Sequence, residues 1–277
     1  MTSAVPAAPP AGSAESPAPP SPPVWRTLGS RVIALCLVEL QKLRHDRTEL
    51  YTRAIQPALW LLIFGETFTR LRAIPTGSIP YLDYLAPGIL AQSALFVAIF
   101  YGIQIIWERD AGVLTKLLVT PTPRAALIAG KAFAAALRAL SQALVVLVLA
   151  ALLGVALTWN PLRLLGTLAA VLLGAAFFAT VSMTIAGLAR SRERLMGIGQ
   201  AITMPLFFAS NALYPVHIMP AWLRALSVGN PLSYEVEALR GLLLGTPANL
   251  PLDFAVMVAA LLAGITSASL LLGRLAR

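Results

Sequence analysis

The sequence predicts an all-α integral membrane protein with six transmembrane helices, and three observations carry that expectation. Of its 277 residues, 58% are hydrophobic and 12% charged, and the mean hydropathy is +0.77. A soluble domain carries about 25% charged residues, so this chain lacks the polar surface to coat a water-facing globule. Apolar stretches recur along it, each near the roughly 20 residues a helix needs to cross the hydrocarbon core. Lys and Arg gather in alternate connecting segments, which is how membrane helices fix their orientation. The formal net charge of +9 belongs to that pattern rather than to nucleic-acid binding. A single cysteine, Cys36, excludes an internal disulfide and leaves no thiol pair for metal or redox chemistry.

Residues 1–23 hold eight of the 21 prolines and have neither the basic start nor the apolar centre of a secretory signal. They are expected to be a disordered, Pro/Ala-rich cytoplasmic tail, with residues 24–277 forming one transmembrane domain. From Val24 to His45, apolar residues at helical spacing are bracketed by Arg26, Arg31, Lys42 and Arg44. The apolar centre is too short to span, so the segment reads as an amphipathic helix lying in the membrane interface. Spans then follow at about 51–68, 84–106, 132–157, 162–188, 195–214 and 252–272. Pro57 falls inside the first, where neighbouring helices can re-satisfy the carbonyl it frees.

With the N-terminus inside, fifteen Lys and Arg residues fall on inner segments and five on outer ones, with Arg138 just inside the third span. That bias places both termini in the cytoplasm. It also places there the charged, proline-punctuated stretch from Trp107 to Lys131. Asp110 is positioned to cap a short helix whose face carries Val113, Leu114, Leu117 and Leu118, ended by Pro121. On physical grounds, such a helix can dock on a cytoplasmic partner or lie as a solvated loop on the membrane.

Two motifs, on opposite sides of this topology, resemble a known family. The run Glu108-Arg109-Asp110, then Gly112, Leu114, Leu117, Thr120 and Pro121, is similar to the cytoplasmic loop of ATP-binding-cassette (ABC) export permeases of the type-2 class. These include daunorubicin-exporter-like permeases and polysaccharide and lipid exporters. After the fifth span, Tyr214-Pro215, Met219-Pro220, Trp222-Leu223, Asn230-Pro231, Tyr234, Glu237 and Arg240 resemble that family's second signature. The resemblance covers Val24 to the end of the chain.

It implies the permease subunit of an ATP-driven exporter in a bacterial cell membrane, moving an amphipathic drug, natural product or lipid-like substrate; a polysaccharide or glycolipid is the alternative cargo. Glu108, Arg109, Asp110 and Gly112 would pass nucleotide-driven motion to the spans, while Leu114, Leu117 and Leu118 seat the coupling helix on an ATPase. Glu108 and Asp110 would pair with Arg109, Lys42 or Arg44. Pro215, Pro220, Trp222, Asn230, Pro231, Tyr234, Glu237 and Arg240 would belong to a re-entrant outer helical pair closing the exit. Implied partners are two cytoplasmic ATPase subunits, which bind the ATP and Mg, a second permease copy or paralogue, and membrane lipids. No cofactor or metal is expected on this chain. Its one Gly-Lys pair, Gly130-Lys131, has Ala125 and Ala132 where a phosphate-binding loop needs Gly and Ser/Thr.

Other candidates come from residue type and position. Gln92, Phe96, Phe100 and Tyr101 on the second span, with Thr203, Phe207, Phe208 and Asn211 on the fifth, could line a translocation path or simply pack. Glu66 near the outer end of the first span is a functional candidate or a snorkelling acid, and Arg138 an anchor. Ala175, Ala179 and Ser182 read as helix-packing positions. Two rival classes find less support. An intramembrane protease could use Glu235, Glu237 and Arg240, but Val236 separates the glutamates, and the two histidines, His45 and His217, fall on opposite sides. An ion-driven transporter needs midplane charges and repeated halves, which the spans lack.

Overall fold

The computed structural model describes residues 47–71, 74–112, 123–189 and 191–275. Most of these residues are helical, with no strand among them. α1 (Arg47–Leu59) runs through a π-helical turn (Trp60–Gly65) into α2 (Glu66–Leu71). Pro57 has no N–H to give the carbonyl of Arg53, and the ladder resumes in the wider i→i+5 register just beyond it. α3 (Tyr81–Asp110) starts after Pro80 and ends where Gly112 turns left-handed at φ 70°. α4 (Arg124–Leu152) starts after Pro123, and Gly154 at φ 79° stops it in the same way.

α5 (Pro161–Ala189) opens on Pro161, and the Asn160 side chain accepts from Leu162 N at 2.9 Å. α6 (Arg192–Phe208) is capped by Ser191. A 3₁₀ turn (Val216–Ile218), α7 (Ala221–Val228), α8 (Pro231–Leu244) and α9 (Leu250–Leu275) complete the order.

α5 is the central helix, packed against α9, α3, α4 and α8. It can be approached so closely because its contact faces are small: Gly174, Ala175, Ala176, Ala179 and Ala186 are buried. A Cβ at Gly174 would lie 2.1 Å from a carboxylate oxygen of Glu235 on α8, and one at Gly264 of α9 would lie 2.0 Å from the Thr180 hydroxyl oxygen. Ser182 Oγ donates to the Ile99 carbonyl of α3, and the hydroxyls of Thr184 and Ser267 meet at 3.2 Å between α5 and α9. Burial of small apolar side chains and these few cross-helix hydrogen bonds hold the bundle together.

Among the described residues, four helices are long and apolar enough to cross a membrane: α3, α4, α5 and α9. They correspond to the second, third, fourth and sixth expected spans. The first expected span takes another form, the α1–π–α2 composite. The fifth ends early, because α6 stops at Phe208 and the chain from Ala209 to Tyr214 is a series of bends. α4 also begins eight residues before the expected start at Ala132 and ends five before Leu157. Asp110 is the last residue of α3 rather than the cap of a following helix. The coupling helix expected around Val113–Leu118, the interfacial helix at 24–45 and the tail at 1–23 lie outside the described residues, as do Leu114, Leu117 and Leu118.

Candidate functional site

The candidate residues fall into three places. The first is the end of the bundle where α3 stops and α4 begins. Arg109 and Asp110 pair side by side, Nη2 to Oδ1 at 3.0 Å. Glu108 turns instead to Lys131, one turn and more inside α4, and the two form an ion pair. Lys131 is 4% exposed and Glu108 21%. Burying an ammonium this far costs several kcal/mol unless a carboxylate faces it, so the pair is a requirement of the packing. It staples α3 to α4 beside the segment, 111–123, that connects them. Gly112, left-handed, releases the chain into that connection. Sequence reasoning counted Lys131 as one more cytoplasmic cation; partners 23 positions apart meet through the packing of two helices and leave no spacing signal.

The second place is the opposite end, where Tyr81 opens α3. Arg240 of α8 is the centre of it. Its Nη2 donates to the Tyr84 carbonyl at 3.2 Å and to the Asn211 carbonyl at 3.1 Å, and its guanidinium carbon lies 3.7 Å over the Tyr84 ring centroid. The Tyr84 hydroxyl donates to the same Asn211 carbonyl at 3.0 Å, and the Tyr81 hydroxyl to Leu213 O at 3.1 Å. The bends after α6 are thereby pinned to α3 and α8. A cavity of about 410 Å³ opens beside them, lined in part by Tyr84, Asn211, Pro215, His217, Glu237 and Arg240.

Asn230 caps α8 by accepting from Leu232 N at 3.1 Å, and its Nδ2 donates to Leu206 O of α6 at 2.7 Å; Pro231 occupies the first turn. Tyr234 donates to Val228 O at 2.9 Å, tying α8 back to α7. Pro220 precedes α7, whose Trp222 is exposed. Thus the eight candidates for the outer pair do different work: Pro215, Glu237 and Arg240 line the cavity, Pro220, Asn230, Pro231 and Tyr234 shape the helical pair, and Trp222 stands exposed. Glu235 does not join Glu237. It is buried against α5, both carboxylate oxygens without a hydrogen-bond partner among the described residues.

The third place lies midway along α3. Phe96 and Phe100 stack, ring centroids 6.2 Å apart, on one wall of a cavity of about 310 Å³. Its other walls come from α1 and α4. Gln92 is buried with Nε2 unpartnered among the described residues, and Tyr101 is buried. Thr203 donates to its own helix at Gly199 O, and Phe207 is fully buried, edge-on to Trp60 at 5.7 Å. The eight candidates for a path are therefore not on one surface: Phe96 and Phe100 border this cavity, Asn211 the distant one, and Thr203 and Phe207 pack in the bundle. Phe208 is exposed. Glu66, also exposed, pairs with Arg70 at 3.6 Å, and Arg138 is half-buried.

A bundle of helices, four of them long and apolar enough to cross a membrane among the described residues, makes the architecture of a membrane protein. The chain belongs to the ABC-2 type transporter family, whose model matches residues 30–244. It is similar to the ycf38 protein of Cyanophora paradoxa, named as a transport permease, with 29% identity over 202 residues, 72% of this chain and 69% of that protein. The daunorubicin resistance ABC transporter permease protein DrrB1 of Streptomyces coeruleorubidus is 28% identical over 206 residues, 73% of this chain and 71% of its own. Nodulation protein J of Rhizobium leguminosarum bv. viciae is 28% identical over 182 residues, 65% and 69% of the two chains.

Proposed function

We propose that this chain is the membrane subunit of an ATP-driven exporter of amphipathic compounds, working as a pair of permeases with two separate cytoplasmic ATPases that bind the ATP and Mg. The observation that carries the reading is the stapled end of α3 and α4. The connection between Gly112 and Pro123 emerges beside the Glu108–Lys131 ion pair, so a push on it moves both helices together. At 1.5 Å per residue, α3 is about 45 Å long, enough to carry that movement across the bilayer. ATP would bind one arrangement of the complex better than the other and so shift it between inward- and outward-open states.

Six spans are part of the proposal, with the α1–π–α2 composite and α6 crossing beside the four longer helices, both termini in the cytoplasm of a bacterial cell. α7 and α8 form the re-entrant outer pair, and Arg240 sets the position of the exit by holding α3 and the bends after α6. Small-molecule cargo is favoured by the relatives named for daunorubicin and doxorubicin resistance.

The test is purification with an ATPase chain, reconstitution in liposomes, and measurement of hydrolysis and transport as amphipathic compounds are added. Glu108→Lys, or deletion of Val113 to Leu118, is expected to leave insertion intact and remove compound-stimulated hydrolysis and export. Transport that persists in both variants at normal expression overturns the coupling role.

A further inference from the structure

Of the two acids of α8, Glu237 lines the outer cavity and Glu235 does not. Glu235 is 1% exposed, and neither carboxylate oxygen has a hydrogen-bond partner among the described residues. Its carboxyl lies in a notch of α5 left by Gly174, where any Cβ would run into it. Gly174 stands about 20 Å from the start of α5, level with the hydrocarbon in the proposed topology. The side chain is covered by its own chain, so neither a second copy nor a lipid headgroup reaches it while α8 is seated.

Among the described residues no charge acts on Glu235 from the helices packed on α8, which are α5, α9, α3 and α7. The titratable residue of α5 is Arg163, about 16 Å nearer the outer end, where its Nη1 would lie 3.1 Å from a Cβ at Gly245. Asp253 of α9 interacts with Glu237. At the outer end of α3, Asp83 accepts from Ala156 N, and the hydroxyls of Tyr81 and Tyr84 donate to Leu213 O and Asn211 O. The other titratable groups of α3 begin at Tyr101, past Ile99, which meets α5 at Ser182, about two turns further in than Gly174. Arg224 of α7 donates to the carbonyls of His217 and Met219. α6, which Asn230 touches at Leu206, has Glu193 and Arg194 in its first turn, about 20 Å away along that helix. On α8 itself, Tyr234 donates to Val228 O, and Glu237 and Arg240 turn to the outer cavity. An ionised carboxylate in the notch would have neither donor nor counter-charge, which makes it far costlier to bury than a neutral acid. Acids placed this way at membrane depth are the material of proton relays.

We infer that Glu235 is an intramembrane proton-binding site and that its proton is what seats α8 on α5. The helix settles into the notch with Glu235 as the neutral acid. When it lifts, the O–H bond breaks, the electron pair stays on the carboxylate, and the proton passes to water in the outer cavity. α8 is bounded by Gly229 and by Gly245, left-handed at φ 73°, so it can move as one piece. That the lifting belongs to a transport cycle rests on the export reading; that the seated helix holds a proton does not.

The full-length protein in lipid nanodiscs, without an ATPase, tests the site in two ways. In infrared spectra at about pH 7, the carbonyl band of protonated carboxyl groups is expected to be present and to diminish in Glu235→Gln. In hydrogen–deuterium exchange, the α8 amides are compared with those of Glu235→Gln at the same pH, so that base catalysis cancels. Lifting releases a proton, so raising the pH favours the lifted state, and the variant has no such proton to release. The ratio of the two exchange rates should therefore rise by up to about tenfold per pH unit between about pH 6 and about pH 8, with the α4 amides unchanged.

A band undiminished in Glu235→Gln, or α8 exchange with the same pH profile in both proteins, overturns the site. If Glu235→Gln fails to fold, Glu235→Met takes its place in both measurements. With the ATPase bound, a non-hydrolysable ATP analogue is expected to weaken the band as α8 lifts. A band unchanged there, with the ATPase-free results as expected, removes the link to export and leaves the proton site standing.

Discussion

Arg240 and Lys131 are both cations taken out of water, and the structure answers each differently. Arg240 spreads its charge over two backbone carbonyls and an aromatic ring, a task that needs a planar fork rather than a point charge. Arg240→Ala should cost about 2–3 kcal/mol, the worth of its charged hydrogen bonds, and Arg240→Lys should recover less than half. Thermal unfolding of the purified protein measures both; equal stability of the lysine variant would show that charge alone suffices. Among the described residues Lys131 pairs with Glu108. Lys131→Met strands Glu108 and is expected to lower stability by about 2–3 kcal/mol, below the full cost of a broken buried pair because Glu108 keeps some access to water. The swap Glu108→Lys with Lys131→Glu should restore most of it in the same assay, and a swap no better than the single variant would show that orientation, not attraction, is what matters.

At the level of elements, α5 depends on the absence of side chains. Gly174→Ala would drive a methyl into the Glu235 carboxylate, and overpacking of this kind costs about 1–3 kcal/mol. Adding Glu235→Ala should relieve it; a double variant as unstable as Gly174→Ala alone would place the strain elsewhere. The sequence made Ala175, Ala179 and Ser182 of this helix legible as packing positions, because small residues at helical spacing have one common use in a bundle. It misplaced the start of α4 for a physical reason. Arg124 and Lys131 look like loop residues when read singly, yet the helix runs through both, since Arg124 is exposed and Lys131 is neutralised by Glu108. The break in the first span was hidden as well. Pro57 announced a disturbance, but nothing in WLLIFG specifies that the turn after it widens.

For the whole molecule, the proposed topology makes a simple forecast. In a Cys36→Ser background, Thr76→Cys in the segment before α3 should react with a membrane-impermeant maleimide added to intact cells. Ala111→Cys, at the other end of α3, should react after permeabilisation only. The reverse pattern would invert the chain and remove the coupling proposal with it. Sequence supplies candidate residues where a motif concentrates them, as in Glu108 to Gly112 or Asn230 to Arg240. It does not do so where the site is assembled across helices, as with Glu108 and Lys131, or with Gln56, Phe96 and Gln142, which share a cavity without sharing a segment.

The π-helical turn has a consequence for registration. A turn of this kind holds one residue more than an α-turn closing the same span, and each residue of an α-helix turns the chain by about 100°. Straightening the stretch to α-geometry with every residue kept would rotate everything before it by about that angle relative to α2. Gln56 and Pro57 would then swing away from Phe96 and Phe100 while the apolar character of the segment stayed the same. Deleting a single exposed residue such as Ile63 along with the straightening would bring them back, so the wider turn is what sets which face of the first helix the rest of the bundle sees.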